Sequence, residues 1–118
     1  MESIMRLGLP AELAKHLYGT VNLAQTAAGN SQSTAAALSG DVCLLRTVGA
    51  SAGVILPADM AISDCKIIIN GGANALAIYP PTGGQMNNAS ANAAYSLAVG
   101  KGAFVFRAGL TDFLVVAV

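Results

Sequence analysis

The sequence predicts an all-β fold, a single-domain antiparallel β-sandwich of jelly-roll-like type with a short N-terminal helix. Three observations carry this expectation. From Val21 onward, apolar runs are interrupted by Gly, Asn, Ser or Pro at intervals of about eight to twelve residues, the spacing of strands in a sandwich or barrel. Several runs alternate, with Tyr95, Leu97 and Val99 set against Ala94, Ser96 and Ala98, the period-two signature of a strand. At 118 residues the chain supports one hydrophobic core and leaves no room for a second.

The first element stands apart. Pro10 suits a first helical turn, Glu12 complements the positive helix end, and Gly19 supplies a left-handed stop. Leu9, Leu13 and Leu17 then form one apolar stripe at helical spacing. A helix this short is unstable alone, so its stripe must dock on the β-domain or on a neighbouring subunit. Residues 1–19 read as an arm with this helix, and residues 20–118 as the β-domain.

Strands are expected over residues 21–28, 32–38, 41–48, 53–56, 65–70, 74–79, 93–99, 103–108 and 112–118. The Ala-rich stretch from Ala24 to Leu38 has helical propensity, but Gly29, Asn30 and the Ser/Thr run within it favour two small-residue strands. Ser39-Gly40 reads as a tight connection. Asn70-Gly71-Gly72 and Gly100-Lys101-Gly102 read as hairpin turns using positive φ angles. Pro80 to Gly84 ends a strand and opens a longer loop through Asn88. Two runs, Ile67 to Ile69 and Leu114 to Val116, are apolar on both faces, as strands covered on both sides are. In a domain this small the second cover is expected to be a partner subunit or the N-terminal helix. Ile68, Leu114 and Val116, with Leu9, Leu13 and Leu17, are therefore the expected protein-interface residues.

Charge is scarce: 10% of residues are charged, with six basic and six acidic side chains and a formal net charge of +0. Ordinary soluble domains carry about 25%. On a monomer this size that is roughly one charge per 500 Å², a surface prone to associate. The balance of charge and the lack of a Lys/Arg cluster argue against a nucleic-acid partner. The longest apolar runs fall short of a membrane span, so no membrane partner is expected. Met1 to Leu9, broken by Glu2 and Arg6, does not read as a secretory signal, which points to synthesis in a cytoplasm. Cys43 and Cys65 fit reduced thiols there, and a disulfide is open only if their strands are neighbours.

Catalytic and metal-binding groups are not in evidence in the sequence. His16 is the lone histidine and has no partners at metal-ligand spacing. Asp41, Asp59, Asp64 and Asp112 fall at strand boundaries, where Asp commonly accepts backbone hydrogen bonds. Gly100-Lys101-Gly102 lacks the strand–loop–helix setting of a phosphate loop, and Asn88-Ala89-Ser90 is a glycosylation pattern without a secretory context. Tyr18, Tyr79 and Tyr95 form no evident stacking platform, although Tyr79 abuts the Pro-Gly loop. No enzyme activity and no cofactor are expected.

The stretch Gly53-Val-Ile-Leu-Pro57, followed by Ile67-Ile-Ile-Asn-Gly-Gly-Ala-Asn-Ala-Leu-Ala-Ile-Tyr-Pro-Pro-Thr-Gly-Gly84, resembles a pattern in small structural proteins of tailed bacteriophages. The likeness continues through Asn92 to Lys101 and the final strand around Phe113, and Leu7 to Ala14 resembles the leader helix of such proteins. Their final strand often carries an aromatic pair, whereas here only Phe113 is present. The resemblance implies a virion component, a capsid decoration (cement) protein with a jelly-roll-like domain. Its partners would be itself, as a dimer or trimer, and the major capsid protein, and its place the capsid surface after synthesis in the host cytoplasm. A head- or tail-fibre module binding a host glycan or receptor is the alternative expectation.

Overall fold

β-Branched and aromatic residues concentrate in short runs between Gly-, Asn- and Pro-containing corners, and each such run extends as a strand. The computed structural model describes residues 21–118. These form ten strands and no helix: β1 Val21–Thr26, β2 Ala36–Ala37, β3 Val42–Thr47, β4 Gly53–Ile55, β5 Cys65–Asn70, β6 Leu76–Tyr79, β7 Gln85–Met86, β8 Tyr95–Leu97, β9 Gly102–Arg107 and β10 Asp112–Ala117. The expected helix, with Leu9, Leu13, Leu17 and His16, lies outside the described residues.

The strands form two sheets, ordered β1-β3-β5-β9-β10-β7 and β2-β4-β6-β8. Consecutive strands from β1 to β6 alternate between them. Within the first sheet β1, β3 and β5 pair in parallel, with Val21, Val42 and Ile67 in register. Within the second, β2, β4 and β6 do likewise, with Ala36, Val54 and Ile78 in register. The chain therefore winds through successive turns of a coil, in a solenoid-like arrangement in which each turn stacks on the last. The closing strands pair differently. β8 lies antiparallel to β6, β9 antiparallel to β5, and β10 antiparallel to β9, while β7 runs parallel to β10 at the far edge.

The all-β character is as expected, but in place of the expected antiparallel jelly-roll-like sandwich β1 to β6 pair in parallel within each sheet, and the reason lies at the corners. Ser39-Gly40 and Asn70-Gly71-Gly72 carry the chain from one sheet to the other instead of folding it back on the same sheet. Positive φ angles occur at Gly29, Gly83 and Gly100 among the described glycines, but not at Gly71 or Gly72. A side chain at Gly72 would instead meet Val48, its Cβ lying 2.6 Å from that of Val48, so Gly72 is small because two corners stack there.

Both sheets contribute to one core. Cys43, Leu45, Ile68, Val105, Phe113 and Val115 point inward from the first, toward Val54, Leu56, Leu76, Ile78 and Leu97. The 32–38 run shortens to β2 because its polar residues close a turn: Thr34 and Ala35 donate backbone N–H groups to Ser31 O, and Thr34 Oγ1 accepts from the amides of Asn30 and Ser31. Gly29, at φ +72°, lies where a Cβ would meet Thr34 O at 2.3 Å, so only glycine fits.

Strand β7 went unforeseen in the sequence; the Gln85 and Asn87 amides bond to Thr111 O and Phe113 O, and a side chain extends the pairing. Asn87, at φ +52°, donates from Nδ2 to Val115 O at 3.1 Å and accepts at Oδ1 from Val115 N at 2.8 Å. Its amide thus pairs with β10 as another strand residue would. Asn87→Ala is expected to cost about 1–3 kcal/mol, with faster hydrogen exchange at the Val115 amide than at Val105. Urea denaturation with amide exchange by NMR checks this.

Candidate interaction face

Alternation along a strand sends every second side chain away from the core, and in the first sheet those outward side chains are mostly apolar, with Arg46 and Asp112 at the strand ends. One row crosses five strands in register: Val21, Val42, Ile67, Phe104 and Val116. Leu44 and Ile69 pair on one side of it, and Cys65, Phe106 and Leu114 line up on the other. Val118 joins through paired backbone hydrogen bonds with Gly102. A Cβ at Gly102 would sit 3.5 Å from Val118 and 3.7 Å from Ile69, so these two side chains converge over the glycine. Many of these residues face solvent: Val116 is 53% exposed, Leu114 44% and Phe104 38%. Soluble surfaces seldom leave such large apolar side chains grouped together.

Of the expected interface residues, Leu114 and Val116 lie on this face. Ile68 does not. Its relative exposure is 0%, and it packs in the core because its strand reaches outward with Ile67 and Ile69. Leu9, Leu13 and Leu17 lie outside the described residues. Phe104 and Phe106, which were not singled out, are the largest side chains of the face. Their alternation with Val105 was visible in the sequence, but which set would face outward depended on the sheet pairing.

Charge is confined to the margins. Lys66, near the start of β5 and on the inner side by alternation, is ion-paired with Asp41. Arg46 sits at the end of β3, exposed, with its Nε donating to Leu23 O at 2.7 Å, and Asp112 opens β10, also exposed. Asp64 behaves as a turn acceptor, taking a 2.9 Å hydrogen bond from Ala61 N.

The two thiols are unpaired. Cys43 is level with Ile68 on the inner face, and Cys65, three residues from Ile68, points outward, so neighbouring strands do not bring them together. Burial pushes both thiols up from the usual thiol range, which keeps them protonated near neutrality and weak as nucleophiles. No group of three or more His, Cys, Asp or Glu side chains suited to a metal occurs among the described residues.

The second sheet carries a different feature. Asn30, Ser51, Asn74, Tyr79 and Ser96 line an open cleft of about 480 Å³ floored by small Ala side chains. Tyr95, by contrast, packs against the core. Comparison with family models, with curated proteins and with solved structures finds no match to the chain.

Proposed function

We propose that this chain is a structural virion protein of a tailed bacteriophage, of the capsid decoration (cement) type. It acts by binding the major capsid protein and itself at the capsid surface, after synthesis in the host cytoplasm, and uses no catalytic group, cofactor, nucleic acid or membrane. The observation that carries this reading is the apolar outer face of the first sheet, from Val21 across to Val116. A cement protein holds shell subunits together by area and shape, for which apolar surface serves and titratable groups do not. The scarcity of charge and the resemblance of residues 53–84 to phage structural proteins support the same reading.

The test is cosedimentation of the full chain with shells built from the major capsid protein of the phage whose genome carries it, followed by thermal disassembly of the decorated shells. Saturable binding and a raised disassembly temperature are expected, and Phe106→Asp should abolish both. Shells that remain bare at tens of micromolar chain would end the proposal.

The cleft beside Tyr79 favours a second reading, a head- or tail-fibre module that binds a host glycan. A flat aromatic ring among Ser and Asn side chains suits a sugar, whose apolar face and hydroxyls need both. Specific signals on a glycan array, lost in Tyr79→Ala, would select it over the first.

A further inference from the structure

The outer face of the first sheet carries its charges in a pattern that matches a copy of itself. Taking the row Val21-Val42-Ile67-Phe104-Val116 as a baseline, Arg46 stands four residues beyond it on β3, and Asp112 four residues before it on β10. β3 is parallel to β5, and β5 and β10 are both antiparallel to β9, so β3 and β10 run in the same direction. Arg46 and Asp112 therefore occupy diagonally opposite corners, about 30 Å apart at strand rise and spacing. They cannot meet within one chain. The midpoint between them falls at the Ile67–Phe104 pair, within the apolar row and half a strand spacing from its centre at Ile67.

We infer that the occupant of this face is a second copy of the chain, packed face to face; this deepens the reading of the protein as one that acts by association and rests on it. A two-fold axis lying in the interface, through the Ile67–Phe104 midpoint and across the Arg46–Asp112 diagonal, makes the contact isologous. Each Arg46 then meets the partner's Asp112, so one complementary pair is made twice at opposite rims, while the apolar rows cover each other at the centre. Arg46 is prepared for this role. Its Nε is engaged by Leu23 O, which fixes the guanidinium at its corner and directs its remaining donors elsewhere. Among the described residues, neither Arg46 nor Asp112 has an ion-pair partner.

Area agrees with this. Five strands of about six residues give a flat footprint of about 500 Å² per chain. Even with its charged corners included, that footprint sits toward the upper end of the roughly 300–600 Å² that the largest apolar patch of a monomer covers. Counted on both partners it reaches about 1,000 Å², the lower bound for a specific interface.

Sedimentation velocity of the full chain across the micromolar range, at low salt where rim charges are least screened, tests the inference. The wild-type chain is expected to be dimeric. Arg46→Glu and Asp112→Arg should each weaken the dimer about tenfold or more, and the double variant should return to within about threefold of wild type. Phe104→Asp, at the centre, should weaken it about thirtyfold or more, with circular dichroism confirming the fold. The rescue is decisive, since residues this far apart restore one another only across two chains. A strict monomer, a dimer insensitive to the swaps, or a double variant no better than the singles would each overturn the inference. A chain that binds shells while staying monomeric overturns the dimer and leaves the proposed function standing. A swap-sensitive dimer that never binds shells sustains the inference and removes the shell from the proposed function.

Discussion

Phe113→Ala is expected to destabilise the domain by about 3–5 kcal/mol, the range for truncating a well-packed aromatic core residue. For a chain this size that corresponds to a fall of more than about 10 °C in Tm. Phe113 is 2% exposed and lies where three strands and a loop converge. It is in register with Met86 of β7 and Arg107 of β9, and a Cβ at Gly84 would approach its ring to 3.0 Å. The Arg107 guanidinium stands 5.6 Å from the ring centroid, a cation–π distance. That same guanidinium group holds the loops on either side, donating to Met60 O, to Gly109 O at 3.1 Å and to Leu110 O at 2.6 Å. Removing the ring thus opens a cavity and frees the arginine that ties down the β9–β10 turn. β7 has only two residues on the edge of the sheet, so the damage should spread to residues 84–92 as faster proteolysis there. Differential scanning calorimetry and limited proteolysis check both parts. A loss below about 1 kcal/mol would show that the ring does not organise this end of the core.

How much of this was readable in advance depends on which physical signal is asked. The positions of β3, β5, β9 and β10 follow from short apolar runs, alternating in β9 and double-faced in β5 and β10, bounded by Gly and Asn, and the strands lie where those signals put them. Pairing is non-local, and there the reading failed. Asn70-Gly71-Gly72 announces that the chain turns, but turn chemistry does not say whether the next strand joins the same sheet or crosses to the other. The coil also hides its period. Register residues step from 21 to 42 to 67 in one sheet and from 36 to 54 to 78 in the other, so there is no fixed repeat of the kind that marks regular solenoids.

The candidate face was half legible for the same reason. Ile67 to Ile69 and Leu114 to Val116 being apolar on both sides pointed to a second surface needing cover. Parity then decides which residues lie on it, and parity is fixed only once the core side is known; a shift of one residue exchanges the two faces. That is why Ile68 proved to be core while Ile67 and Ile69 are outward. Strand β7 was missed because Gln85-Met86 is too short to alternate, and its pairing with β10 rests on two backbone bonds, from the Gln85 and Asn87 amides, supplemented by the Asn87 side chain.

Asn70→Asp should be the most damaging single-atom-scale change in the domain, and its effect should depend on pH. Asn70 is fully buried, with a relative exposure of 0%. Its Nδ2 donates to Asn74 O at 2.9 Å and Leu97 O at 3.0 Å, and its Oδ1 accepts from Gly72 N at 3.1 Å. Its backbone also receives the Gly100 amide and donates to Lys101 O. The side chain thereby joins the β5–β6 corner to the end of β8, and the backbone of the same residue ties in the β8–β9 corner. Asn70→Ala removes three hydrogen bonds and strands their partners, for an expected loss of about 2–4 kcal/mol that does not vary between pH 4 and 7. Asn70→Asp keeps the bond from Gly72 but turns a carboxylate oxygen toward two carbonyl oxygens in a buried site. Ionisation there is disfavoured by burial and by those carbonyls, so the folded-state pKa is raised above the unfolded value of about 3.9. Between the two pKa values the folded state binds more protons than the unfolded state, and stability falls as pH rises. Below about pH 4 the acid is protonated in both states and its O–H can donate to one carbonyl. The variant should therefore lie about 3 kcal/mol or more below wild type at pH 7 and recover part of that loss at pH 4, measured against wild type at each pH. Urea midpoints of the two variants at both pH values decide it. Identical losses for Asp and Ala at both pH values would mean that the Asn70 amide does not donate to Asn74 and Leu97, and that the corners are joined some other way.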